Sequence, residues 1–187
     1  KYPILEDFYI DPYYVLQIVS LVSKSKPSCK RMDVLALEKD AIDKHWPACI
    51  QGLQQALTFM RDDCGVLTSG LLPYYTIVIP MAAIFAALLE YHGPQVGMVK
   101  DRVGQWFWCA VFGQKYESSP NSQSAIDFSE VVAWVKGGAV PEAISAFRFD
   151  SAMLRDTTGR QRAVYRGTLA LTFRNHSRDF HSHEPLT

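Results

Sequence analysis

The residues best suited to hold a metal lie near the C-terminal end. His176, Asp179, His181, His183 and Glu184 gather three imidazoles and two carboxylates within nine residues. Such ligands suit a transition metal. The alternative reading is a polar tail leaving the last helix, with Pro185 marking a turn. Upstream lies a concentration of arginine. From Arg148 to Arg178 there are seven arginines, at 148, 155, 160, 162, 166, 174 and 178, against two acids, Asp150 and Asp156. Arg162 and Arg166 stand one helical turn apart, a spacing that suits phosphate oxygens or a shared acidic partner. The competing reading is a solvated face whose arginine stems cover the core edge. Arg155, Arg160, Arg162, Arg166, Arg174 and Arg178 are therefore candidates for contact with DNA or with a neighbouring domain.

Two further groups carry chemistry by type. Asp127 and Glu130 share one helix face, and paired acids fit acid/base work or a divalent ion. Asp127 falls in the first turn of that helix, and acids near a helix N-terminus would instead stabilise its dipole by about 0.3–1 kcal/mol each. The run Trp106-Phe107-Trp108-Cys109-Ala110-Val111-Phe112-Gly113-Gln114-Lys115-Tyr116 offers aromatic rings that stack on bases in a nucleic-acid groove. Its unbroken hydrophobicity argues for core packing instead. Lys115 and Tyr116, where this helix leaves the core, join the contact candidates, and Tyr116 also suits a hydrogen bond to a neighbouring helix end.

Phosphate loops, dinucleotide fingerprints, nucleophile elbows and zinc-protease motifs are absent from the sequence. No catalytic residue is assigned. Lys plus Arg equals Asp plus Glu, at 19 each, so the chain has no overall attraction to nucleic acid or membrane and only local patches could supply one. Cys29, Cys49, Cys64 and Cys109 form no CxxC pair. Cys49 and Cys109 fall in hydrophobic helical patterns as buried thiols, which favours a reducing, cytoplasmic setting. Leu71 to Leu89 is nineteen residues without a charge. Pro73, Pro80 and four alanines make it a buried core helix rather than a membrane span.

The elements that must position these groups are helical. Asp11-Pro12 reads as an N-cap with proline at the first helical position. Val15, Ile18, Val19 and Val22 then keep one buried face. A helix is predicted over 47–63, with Ile50, Leu53, Leu57, Met60 and Cys64 as its stripe and Gly65 as its C-terminal cap. The hydrophobic central helix is predicted over 76–91, stopped by Gly93-Pro94, and the aromatic helix over 99–112. A loop over 118–122 precedes a helix capped by Ser124 and closed by Gly137-Gly138. Shorter helices are predicted over 141–147 and 151–156, and a last one over 160–174. The fold class is all-α, an irregular domain of about seven to nine helices around a hydrophobic central helix. It occupies residues 1–187, with an arginine-rich subregion over 148–178 and a polar tail over 179–187. The opening Lys1 suggests an internal fragment of a larger protein.

Taken in order, several of these segments resemble the central helical region of modification-dependent restriction endonucleases of the GmrSD type. They are Asp11-Pro12-Tyr13-Tyr14-Val15-Leu16-Gln17, Leu72-Pro73-Tyr74-Tyr75 with Ile79-Pro80-Met81, and the aromatic run from Trp106. Asp127 through Trp134-Val135-Lys136-Gly137-Gly138, then Tyr165-Arg166-Gly167, Asp179-Phe180 and Pro185-Leu186, follow in the same order. In that family a ParB-like N-terminal domain binds and hydrolyses nucleotide, and a C-terminal HNH-type domain cuts DNA with a divalent metal. The resemblance implies a non-catalytic middle domain that couples the two and contacts the DNA backbone through its arginines. The nucleoside triphosphate and the divalent metal would belong to the parent protein, with no cofactor in this chain. The partners implied are the neighbouring NTPase and nuclease domains of the same polypeptide, with no membrane. No catalytic residue carries over, because His181 and His183 precede the expected nuclease and are separated by Ser182. A stand-alone helical interaction scaffold and a small enzyme using His176, Asp179 and His183 are the other readings.

Overall fold

The computed structural model describes residues 4–92, 94–155, 157, 159, 162–175 and 184. Among them every regular element is helical. Ten α-helices follow in order: α1 (Ile4–Asp7), α2 (Pro12–Ser23), α3 (Arg31–Leu35), α4 (Lys39–Asp62), α5 (Val78–Ala87), α6 (Pro94–Phe112), α7 (Pro120–Val135), α8 (Glu142–Ser145), α9 (Ala152–Arg155) and α10 (Ala163–Arg174). Two 3-10 turns, Ser69–Leu71 and Tyr75–Ile77, bridge α4 and α5.

Helix α5 occupies the centre. Its residues from Val78 to Ala86 are all buried, so it has no polar face to offer water. Helices α2, α4 and α7 pack around it, while α6 packs on α7, α8 and α10. The α4–α5 contact is close because Gly52 has no side chain. A Cβ there would lie 2.6 Å from the Ala86 nitrogen and 2.7 Å from its Cβ. Most of the buried apolar residues form one cluster running from Ile4 to Ala170. No helix of the described residues is long and apolar enough to cross a membrane.

Several local expectations hold. Asp11 caps α2, its carboxylate accepting from the Tyr13 N–H at 2.9 Å, with Pro12 at the first position. Gly65 adopts φ +73° after α4, and the Val66 N–H reaches back to the Met60 carbonyl at 2.9 Å. Gly137 closes α7 in the same left-handed way, at φ +97°.

Other boundaries move, each for a local reason. Helix α4 starts at Lys39 and not at Pro47, which lies inside it. Pro47 and Asp43 are exposed, so the carbonyl that proline leaves unpaired is on the solvated side. The central α-helix is shorter than 76–91. Pro80 cannot donate to the Thr76 carbonyl, so the chain enters through a 3-10 turn and Pro80 takes a first-turn position in α5. It ends at Ala87, where the Leu88 N–H bonds Phe85 in a tightened last turn. Helix α6 begins at Pro94 rather than Val99, using that proline as its start. Helix α7 likewise begins at Pro120, after Ser119 in a left-handed conformation at φ +51°. Ser124 is therefore inside α7, its hydroxyl donated back to the Pro120 carbonyl at 2.8 Å, and is not an N-cap. The later helices α8, α9 and α10 are each shorter than the sequence pattern suggests.

Candidate functional site

The polar residues of the aromatic run and of α7 meet in the core. Helix α6 turns out of the core after Phe112 and brings Tyr116 back against α7. Tyr116 is 3% exposed and Asp127 fully buried. The Tyr116 hydroxyl donates to Asp127 Oδ2 at 2.6 Å, and Gln123 Nε2 donates to Oδ1 at 2.9 Å. The Trp106 indole nitrogen lies near the same carboxylate and favours its ionised form, though it falls short of hydrogen-bond geometry. Burial pushes the Asp127 carboxyl above the ordinary carboxylate range, with a smaller push from Glu130, and the Tyr116, Gln123 and Trp106 groups partly offset it. Burial, and then the Asp127 charge, push the Tyr116 phenol well up, so tyrosine is the donor of the pair.

A second set of buried bonds extends this cluster to α2. Gln17 Nε2 donates to the Cys29 carbonyl at 3.0 Å and to Asn121 Oδ1 at 3.1 Å. The Cys29 thiol donates to the Asn121 carbonyl at 3.3 Å. Residues about a hundred positions apart are thus held together at the start of α7. The arrangement can fix the relative placement of α2, α6 and α7, but it presents no polar atom to a ligand.

The paired acids of α7 consequently divide their work, and neither stabilises the dipole of its own helix. Asp127 lies beyond the first turn, since α7 starts at Pro120. Glu130 accepts the backbone N–H of Glu142 at 2.8 Å and so satisfies the first turn of α8. Glu142 in turn holds Lys115, whose Nζ is 2.9 and 3.0 Å from the two carboxylate oxygens. Tyr116 is therefore not at the surface, and Lys115 is an ion-paired cation beside α8. Sequence spacing suggested both pairs of residues but not these partners, because the α8 contact is set by a turn and not by helix periodicity.

The aromatic helix is buried on one side only. Trp106 and Phe107 have no exposed surface, whereas Trp108 and Cys109 are half-buried. Trp108 stacks on Phe112 with ring centroids 5.9 Å apart. These two rings, with Phe147, Phe149, Leu154 and Leu171, border an apolar recess of about 330 Å³ between α6 and α10.

The arginine candidates do not behave alike. Arg155, Arg162 and Arg174 are exposed. Arg166 is half-buried and tied inward, its Nη1 donating to the Leu72 carbonyl at 3.0 Å and its guanidinium lying 5.8 Å from the Tyr75 ring. Arg148 folds onto the carbonyls of Ser145 and Phe147. Arg160 and Arg178 lie outside the described residues, as do His176, Asp179, His181 and His183. Among the described residues no group of three His, Cys, Asp or Glu is placed to hold a metal ion. All four cysteines are unpaired, with Cys29, Cys49 and Cys64 buried. Burial pushes the Cys29 thiol up to about 11 and the Cys49 thiol up to about 12.

No known protein family and no solved structure matches the chain. It is similar to an uncharacterized protein of Methanocaldococcus jannaschii, 25% identical over 180 residues, an alignment that covers 91% of this chain. The chain spans about 30% of the length of that curated relative.

Proposed function

We propose that this chain is the non-catalytic helical middle segment of a GmrSD-like, nucleotide-dependent, modification-sensing DNA endonuclease of the cytoplasm. In that role it couples an N-terminal NTPase domain to a C-terminal HNH nuclease. The observation that carries the reading is that the segments resembling the family are in contact with one another. Arg166 of Tyr165-Arg166-Gly167 bonds Leu72 of Leu72-Pro73-Tyr74-Tyr75. Tyr74 packs on Tyr116, ring centroids 5.8 Å apart, and Tyr116 bonds Asp127. Motifs spread over ninety-odd residues that share one set of contacts fit a rigid connecting body, able to transmit a displacement between domains at its two ends. The similarity to one stretch of a much longer archaeal protein agrees with a segment of a multidomain chain.

In this reading Arg155, Arg162 and Arg174 supply the backbone contacts to DNA, while the parent protein supplies the nucleotide and metal chemistry. The test is made on the full-length protein. It should cleave modified DNA only with nucleoside triphosphate and divalent metal, and restrict phage carrying such DNA. A full-length protein that neither binds nor cleaves DNA under those conditions overturns the proposal.

A further inference from the structure

Helix α4, the end of α5 and the start of α6 enclose a groove of about 510 Å³. Small-molecule sites commonly measure about 300–1,000 Å³. The α4 wall is unusual in composition. From Trp46 to Met60 the helix carries no charged residue, although half of that stretch faces outward. A solvated helix face ordinarily carries charge. Here it carries Gln51, Gln54, Gln55 and Thr58, whose i, i+3, i+4, i+7 spacing sets them along one edge. All four line the groove. No hydrogen bond joins the three amides to another described residue, so their donors and acceptors are available.

The remaining walls add two properties. Phe59 and Phe85, both nearly buried and tilted 57° to one another with ring centroids 5.6 Å apart, underlie the apolar floor, with the half-buried Tyr91 ring beside them. The remaining polar lining residues are His92 and Lys100, whose Nζ lies 5.9 Å from the Phe59 ring centroid, and no carboxylate is among the described lining residues. Lys100 already pairs with Asp63 at 2.7 Å, outside the groove lining, which leaves its other ammonium hydrogens for an anion.

A glutamine amide places a donor and an acceptor side by side, the pattern that matches the hydrogen-bonding edge of a purine or pyrimidine. An aromatic and apolar floor accepts the flat face of such a ring. A lining free of acids, with the ammonium of the Lys100–Asp63 pair beside the floor, favours a base that carries phosphate over a basic or cationic ligand. We propose that this groove binds a nucleobase, with Gln51, Gln54 and Gln55 meeting its edge and Lys100 and His92 meeting the attached phosphate. The base can come from a free nucleotide or from an unstacked position in nucleic acid. The inference stands independently of the coupling role.

The experiment is an NMR titration of the protein, following the glutamine side-chain amides, with each of the four deoxynucleoside monophosphates, with short single-stranded oligonucleotides and with inorganic phosphate alone. At least one base-bearing ligand should shift the groove amides saturably. Its affinity should fall tenfold or more in Gln51→Ala/Gln55→Ala. Alanine is the stronger helix former, so that variant keeps its fold, checked by an unchanged melting curve. Saturation by monophosphates assigns a free nucleotide, and saturation by oligonucleotides alone assigns an unstacked base. The proposal is overturned if no base-bearing ligand shifts those amides at millimolar concentration, if phosphate alone gives the same shifts, or if the double variant binds as tightly as the parent. None of these readouts involves DNA cleavage, so the groove and the coupling role fail separately.

Discussion

Replacing Tyr116 by Phe isolates one bond on which α6 and α7 depend. The ring keeps its packing against Tyr74, and only the hydroxyl that donates to Asp127 at 2.6 Å is lost. A hydrogen bond to a charged group contributes about 1.5–3 kcal/mol, and here the acceptor is left buried with one fewer donor. The expected destabilisation is about 2 kcal/mol, or a melting temperature lower by roughly 4–8 °C for a chain of this size. The pH dependence is the sharper test. Burial already holds the Asp127 carboxyl above its ordinary range, and the Tyr116 bond pulls it back down. Without the phenol its folded-state value rises further. A carboxyl raised on folding penalises the folded state once pH exceeds the unfolded value of about 3.9, and the penalty accrues until the folded value is passed. The deficit of Tyr116→Phe should therefore be larger at pH 7.5 than at pH 4.5 in urea denaturation. Asp127→Asn, which removes the charge, should abolish that pH difference. Equal deficits at both pH values, or a deficit below about 0.5 kcal/mol, would refute the reasoning, because each implies that no buried carboxylate depends on the phenol.

Gly52→Ala should destabilise the protein by about 1–3 kcal/mol in thermal melts, because the added carbon meets α5 backbone that cannot step aside; an unchanged melting temperature would contradict the close α4–α5 approach. In native protein at pH 8, alkylation followed by mass spectrometry should find Cys109 modified first. Cys49 and Cys29, with thiols near 12 and 11, should react only on unfolding, and labelling of Cys49 at the rate of Cys109 would count against its burial. In the full-length protein, Arg155→Ala/Arg162→Ala should weaken DNA binding without altering sequence preference. The slope of log affinity against log salt should fall by about two, whereas an unchanged slope would remove these residues from the DNA surface.

What the sequence made legible followed from rules that act within a few residues. The N-cap at Asp11, the left-handed Gly65 and Gly137, and the uncharged helix α5 each needed only their own neighbours. Misplaced boundaries came from proline, whose meaning depends on position. The local sequence around Pro94 and Pro120 suits a stop and a loop, yet both are helix starts, while Pro47 suits a start and lies inside α4. The acids of α7 show a deeper limit. Three-residue spacing places Asp127 and Glu130 near one another, but their roles are fixed by what arrives from elsewhere: the Tyr116 phenol after a turn, and the free N–H of α8. The same holds for the arginines. Arg162 and Arg166 are one turn apart, yet α10 packs so that the first is exposed and the second reaches the Leu72 carbonyl, ninety-four residues away. Helical spacing predicts a common face only when nothing non-local competes for one of its members. Here the 69–75 turn competes for Arg166 and draws it partly inward from the surface that its spacing assigned. A charge cluster counted along a sequence is therefore an upper bound on the charge that a partner can meet. Among the described residues Arg148, Arg155, Arg162 and Arg174 are exposed, and of these Arg148 is turned onto the Ser145 and Phe147 carbonyls.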